Sequence, residues 1–204
     1  MKQLKMLGLA AVAAMALMAI LGAGTASATT QLQINTTPSA NDNLGVGTRI
    51  LSTVEASTST TFSDPSGVEN DTCPESTIEG EIEDNSGSGD PTGLISALTL
   101  ERCTEPTRVI RKGSLEIQHI AGTTNGTVIS SGAEITVFST VLGADCFLRT
   151  GTGTSLGTLT GAGHGLTNGT TDINATIQVF GCGITNARWK GRYEVTSPTG
   201  LTVE

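Results

Sequence analysis

Glu79, Glu81 and Glu83 alternate with Ile78, Gly80 and Ile82, so a strand through this segment lines three carboxylates on one face. Glycoside hydrolysis needs only two carboxylates at a fixed separation, and Glu116, Glu134 and Asp172 are further acids from which a pair could be drawn. A solvated outer face is the simpler account of the Glu run. Other hydrolytic schemes are limited by histidine, present only as His119 and His164. His119 shares a face with Leu115 and Ile117, where a partly buried, hydrogen-bonded imidazole is expected rather than a general base. His164 lies in a Gly-rich loop. No G-x-S-x-G elbow or H-E-x-x-H pattern occurs. The glycines from Gly151 to Gly157 miss the dinucleotide fingerprint by one residue and precede no helix pattern, so a tight hairpin is expected there. These residues predict no catalytic or cofactor-binding site.

A cation loop is the one sharper pattern. Asp84, Ser86, Ser88 and Asp90 place oxygen-bearing side chains at alternate positions, and Gly89 falls where a calcium loop turns sharply. Serine stands where Asp or Asn is usual, and Ile95 occupies the place of the bidentate Glu of an EF-hand. The same residues also make an ordinary polar hairpin turn, which is the preferred reading. Calcium is the only cofactor the pattern admits.

Four cysteines, Cys73, Cys103, Cys146 and Cys182, carry no C-x-x-C spacing and have no histidine beside them, which favours two disulfides over zinc. An antiparallel register that sets Cys73 opposite Cys103 also sets Ile78 opposite Leu98 and Ile82 opposite Leu94. One pairing then satisfies the thiols and the apolar face together, and Cys146 with Cys182 follows by exclusion.

The elements that must position these residues read as strands. Thr, Ser, Val, Ile and Gly dominate, and alternation is clear over 133–138, 173–179 and 188–195. Weaker candidates cover 32–35, 48–54, 57–62, 77–83, 94–101, 115–120, 127–130, 146–150, 155–160 and 201–204, with turn residues between them. Many short strands predict an all-β, antiparallel β-sandwich, with a closed or partly open β-barrel as the alternative. Trp189 and Tyr193 fall on one strand face with Val195 and are expected as core anchors rather than sugar platforms. On the opposite face Arg188, Lys190 and Arg192 form a basic ladder, expected to lie beside the Glu79, Glu81, Glu83 ladder on a neighbouring strand.

Lys2 and Lys5, an apolar run from Met6 to Leu21, and Ala26-Ser27-Ala28 have the form of a secretory leader with its cleavage site. The expectation is a signal peptide over 1–28 and a single secreted β domain over 29–204. Without the two leader lysines, nine of the 11 Lys and Arg remain against 19 Asp and Glu, a net charge near −10. So acidic a surface argues against nucleic acid and anionic membranes as partners. No second apolar stretch of spanning length follows, so no transmembrane anchor is expected after leader removal.

The run Ile120-Ala121-Gly122-Thr123-Thr124-Asn125-Gly126-Thr127-Val128, the Thr150-Gly151-Thr152-Gly153 and Gly157 to Gly161 segments, and the ending Trp189-x-Gly191-x-Tyr193-x-Val195-Thr196-Ser197-Pro198-x-Gly200-Leu201 together resemble uncharacterised secreted β-rich proteins of the actinobacteria. The resemblance covers most of the chain after the leader. It implies export and a β domain and carries no activity. The function expected is therefore a non-catalytic, disulfide-stabilised module that binds an extracellular or cell-envelope partner or serves a structural role there. A carboxylate-dependent hydrolase is one alternative. A small-ligand carrier is the other, and it requires a closed barrel with an apolar interior.

Overall fold

Two long strands organise the molecule. β14 (Thr170–Phe180) and β15 (Asn186–Ser197) pair antiparallel over nine positions, from Thr170 opposite Glu194 to Gln178 opposite Asn186. Ile173, Ala175, Ile177 and Val179 are buried while the residues between them are exposed, and Ala187, Trp189, Tyr193 and Val195 repeat the pattern on the partner. This is the alternation the sequence predicts. Each fully buried aliphatic side chain here contributes about 1.5 to 3 kcal/mol.

The structure is a computed structural model that describes residues 30–37, 40–66, 69–162 and 168–204. The leader expected over 1–28 and His164 lie outside these residues. The described residues form strands and turns with no helix, and none is a helix long and apolar enough to cross a membrane. The strands before β14 are β1 (Leu32–Thr37), β2 (Ala40–Asn43), β3 (Arg49–Val54), β4 (Thr60–Ser63), β5 (Glu69–Cys73), β6 (Glu75–Asp84) and β7 (Thr92–Glu101). Then come β8 (Thr107–Arg111), β9 (Ser114–His119), β10 (Gly126–Ser131), β11 (Glu134–Ser139), β12 (Ala144–Arg149) and β13 (Thr154–Thr160), and β16 (Leu201–Val203) follows β15.

Every pairing is antiparallel, as expected, but the architecture is the alternative one. The order β15-β3-β6-β7-β9-β10-β13-β14 returns to β15 and closes an eight-stranded barrel. Closure follows from the way β14 and β15 change neighbours along their length. Near one end β15 pairs with β3 through Tyr193 to Ser197, and near the other with β4 through Arg188 to Lys190. β14 likewise pairs with β13 through Thr170 to Ile173 and with β12 through Phe147 to Phe180 and Arg149 to Gln178. Gly191 marks the crossover on β15, where a Cβ would stand 2.8 Å from Thr60 Oγ1 and 2.9 Å from the Tyr193 ring.

The far halves of β14 and β15 thus belong to a second sheet, β5-β4-β15-β14-β12-β11-β8. The glycines after Thr150 do not turn a hairpin: β12 and β13 are not paired with each other but follow end to end along one edge of β14, so this segment carries the chain from the second sheet into the barrel. The two charged ladders are not neighbours either. β3 lies between β15 and β6, and its Arg49 is the residue that reaches Glu79 and Glu81, at 3.3 and 3.6 Å.

One end of the barrel is capped by the small sheet β16-β1-β2. Asn85, buried at the end of β6, fixes this cap: its Oδ1 accepts from Leu32 N at 2.7 Å, and its Nδ2 donates to the Leu32 and Leu44 carbonyls at 2.8 Å each. Val203 N donates to Thr124 O and Ala162 N to Leu201 O, which ties β16 to the barrel rim.

Candidate functional site

The barrel wall lines a partly open cavity of about 90 Å³. All eight strands contribute to its wall: Ile50 from β3, Ile78 and Ile82 from β6, Leu94 from β7, Leu115 and Ile117 from β9, Val128 from β10, Leu156 and Leu159 from β13, Ile173 from β14 and Val195 from β15. Leu32 and Leu201 close the capped end. The wall is almost wholly aliphatic. Tyr193 also lines it and is fully buried, with its hydroxyl 2.9 Å from Ser76 Oγ, which in turn donates to Thr99 O. Burial pushes the Tyr193 phenol above its usual pKa, against a smaller opposite pull from the Ser76, Thr60 and Trp189 side chains.

Two wall positions carry no side chain, and one of them leaves space. Gly80 on β6 and Gly93 on β7 both line the cavity, and they are not equivalent. A Cβ on Gly93 would stand 2.5 Å from the Glu81 carbonyl oxygen, so the strands touch there. A Cβ on Gly80 would meet nothing nearer than Leu94 O at 3.8 Å and Leu115 Cδ1 at 3.9 Å, which is ordinary contact. Glycine at 80 is therefore not demanded by the backbone, and it leaves room inside the ring.

The ring is held most lightly between β7 and β9. Only Thr92, Gly93 and Leu94 pair with β9 there, opposite Glu116, Leu115 and Ser114. Beyond them Ile95 N donates to Gly113 O, and Lys112 Nζ donates to Ser96 O. Leu94 lines the cavity and is still 50% exposed.

The sequence-predicted residues fall elsewhere. Glu79 and Glu81 share Arg49, Glu116 accepts from Gln118 Nε2 at 2.8 Å, buried Glu134 is held by Arg149 at 2.7 Å, and Asp172 stands 3.8 Å from Arg192. Glu81 is the one acid of this set among the residues lining the barrel cavity, and its carboxylate is turned to Arg49, so the cavity does not bring two carboxylates together. His119 is half-buried, and its Nε2–H donates to Thr123 O at 2.6 Å, the bonded imidazole expected of it. In the loop after β6, Asp84 Oδ1 accepts from Ser86 N at 2.9 Å and Ser86 Oγ lies 2.7 Å from Ser88 Oγ. The Ser86 hydrogen bonds hold the Asp84 carboxyl below the usual carboxylate range.

Both disulfides form as expected, Cys73 with Cys103 and Cys146 with Cys182. Cys73, Cys103 and Asp71 are the only three such donors within 4.8 Å of one another among the described residues, and the cysteines are bonded to each other. Asp71 carries a role the sequence reading missed. It is buried, and its carboxylate accepts from Thr104 Oγ1 at 3.1 Å, Glu105 N at 3.0 Å and Thr107 Oγ1 at 2.6 Å. Nothing in the polar Glu69-Asn70-Asp71-Thr72 run distinguishes it from a loop acid. Gly80 was visible as a glycine inside a strand pattern, which marks a close approach or a space. No family model, curated protein or solved structure matches the chain.

Proposed function

We propose that the protein is an exported, non-catalytic binding module that takes a small apolar group into its barrel. The observation that carries this reading is the aliphatic cavity inside a closed ring, with Gly80 leaving the space open. An eight-stranded barrel is just wide enough for its side chains to fill it or for one small ligand to be held. A cavity of about 90 Å³ is smaller than the roughly 150 Å³ apolar cavity that admits benzene, and far below the ~300 Å³ at which drug-sized pockets begin. The ligand is therefore a slender alkyl or small branched group, free or as the end of a larger molecule. Its polar part stays at the β7–β9 seam near Thr92. Export is supported by the leader pattern, by the resemblance to secreted bacterial proteins, and by two disulfides, which persist in oxidising compartments.

The test is calorimetric titration with n-alkanols from butanol to decanol. Affinity should rise with chain length and then level off once the cavity is filled. Gly80→Val, whose Cβ makes no contact closer than 3.8 Å, should weaken binding at least tenfold while keeping the melting temperature at or above that of the parent. Absence of heat with every alkanol, or equal binding by Gly80→Val, overturns the reading.

A further inference from the structure

The outer face of β15 carries two cations whose surroundings differ from those of their neighbour Arg192. Arg192 is matched to carboxylates, at 3.0 Å from Glu55 and 3.8 Å from Asp172. Arg188 and Lys190, on the same exposed face, make no ion pair among the described residues. Their cross-strand neighbours are neutral and hydrogen-bonding: Thr176 and Ser63 flank Arg188, and Asn174 and Thr61 flank Lys190. The two cations border a depression of about 200 Å³ whose wall also includes Ser63, Asn186, Thr176 and Asp64. Asp64, the one acid of the wall, has its Oδ1 taken by Ser66 Oγ at 2.6 Å.

We infer that this depression binds a tetrahedral oxyanion, a phosphate or sulfate group. Two residues apart on a strand, the side chains start about 7 Å from each other, close enough for both to converge on one such group. The guanidinium supplies a two-pronged donor and the ammonium a mobile point charge, the pair best suited to phosphate oxygens. Thr176, Ser63 and Asn186 supply neutral donors on the same wall. The depression has the volume of several water molecules, enough for the anion and part of its shell. In a chain of formal net charge −8, long-range attraction does not bring the anion in, so short-range contacts must hold it.

Trp189 lies between the two cations in sequence and is the only tryptophan of the chain, so its fluorescence reports on the strand that carries the site. The full protein is titrated with inorganic phosphate and, separately, with tripolyphosphate at constant ionic strength, with sodium chloride as the control. The expected result is a saturable change with phosphate that chloride does not produce. The double variant Arg188→Gln, Lys190→Gln should bind at least tenfold more weakly, Arg192→Gln should bind like the parent, and Asp64→Asn should bind more tightly. Tripolyphosphate binding more than tenfold tighter than phosphate assigns the site to a polymer-borne group, and similar affinities assign it to the free ion. No saturable change with either anion, an equal response to chloride, or full binding by the double variant overturns the assignment. All four substituted side chains lie at exposed or half-exposed positions, so folding should be preserved, and amide chemical shifts of the barrel core check it.

Discussion

The barrel and the second sheet share β14 and β15, yet they close their circuits by different means. In the barrel the strands return to their start through an unbroken series of backbone ladders, and the interior can be left partly empty. Among the described residues the second sheet ends at β5 and at β8, with no ladder between them. There the segment leading into β8 is drawn against β5 by the Cys73–Cys103 disulfide, by Thr104 N donating to Thr72 O, and by the three donors gathered on Asp71. Its inner face packs Phe62 against Trp189 at a 5.6 Å centroid distance and a 37° tilt, with Trp189 Nε1 donating to Thr60 Oγ1. A backbone ring can tolerate a hole, whereas a circuit closed by side chains depends on each of them.

The largest test of that contrast removes the covalent link. Cys73→Ser with Cys103→Ser opens a loop with a sequence separation of 30, for which loop-closure entropy gives about 3 to 4 kcal/mol. Denaturant unfolding should show a loss of that order. Amide exchange should quicken first in β4, β5 and β8 and last in the barrel, and uniform quickening would show that the two circuits do not differ.

Asp71→Asn comes next. It keeps the shape, removes the charge from three hydrogen bonds, and puts an NH₂ among donors, so a loss of about 2 kcal/mol is expected in the same measurement. A neutral outcome would mean that the disulfide alone closes the second sheet.

Within the barrel, the two cavity glycines should behave oppositely. Gly93→Ala forces a Cβ to 2.5 Å from a carbonyl and should cost about 1 to 3 kcal/mol. Gly80→Ala meets no close atom and should stabilise the fold by about 0.5 to 1 kcal/mol, since glycine inside a strand weakens it. Melting temperatures moving in the same direction would remove Gly80 as the source of the space.

The pH effects are smaller. Because the Tyr193 pKa is raised in the fold, its contribution is fully present below the ordinary tyrosine value of 10.0 and declines as pH rises through the folded value. In Tyr193→Phe that alkaline slope should be absent from the pH dependence of unfolding. Asp84 works at the other extreme: its lowered pKa gives a contribution present above 3.8 that fades as pH falls through the folded value, and Asp84→Asn should flatten that small acid slope.

The long alternating runs on β14 and β15 were legible because one face of each is buried and the other wet along its whole length. The first hairpin register was legible in half: Ile78 does oppose Leu98, but an irregularity after Glu79 skips one residue, so Ile82 opposes Gly93 rather than Leu94. β5 and β2 were invisible because their residues, Glu69 to Cys73 and Ala40 to Asn43, carry turn composition and are recruited by neighbours. The candidate strand 57–62 begins only at Thr60, since Ser57 adopts φ +68° and Thr58 N bonds back to Glu55 O. Closure itself depends on two strands changing partners midway, and a period-2 pattern is blind to which strand lies beside it. The cavity was legible only as a glycine inside a strand pattern at Gly80, which does not tell a space from a close approach.

The cap has a consequence for the order of assembly. Leu32 pairs with Val203 and Ile34 with Leu201, so this small sheet joins two stretches almost the full length of the described chain apart. Pairings so distant in sequence must wait for the chain between them to become organised, because their loop-closure entropy is lost before any contact compensates it. Loop-closure entropy thus predicts that the cap end of the barrel is the last wall to be set in place. During refolding, a bulkier guest added before that moment has a doorway that the finished molecule lacks.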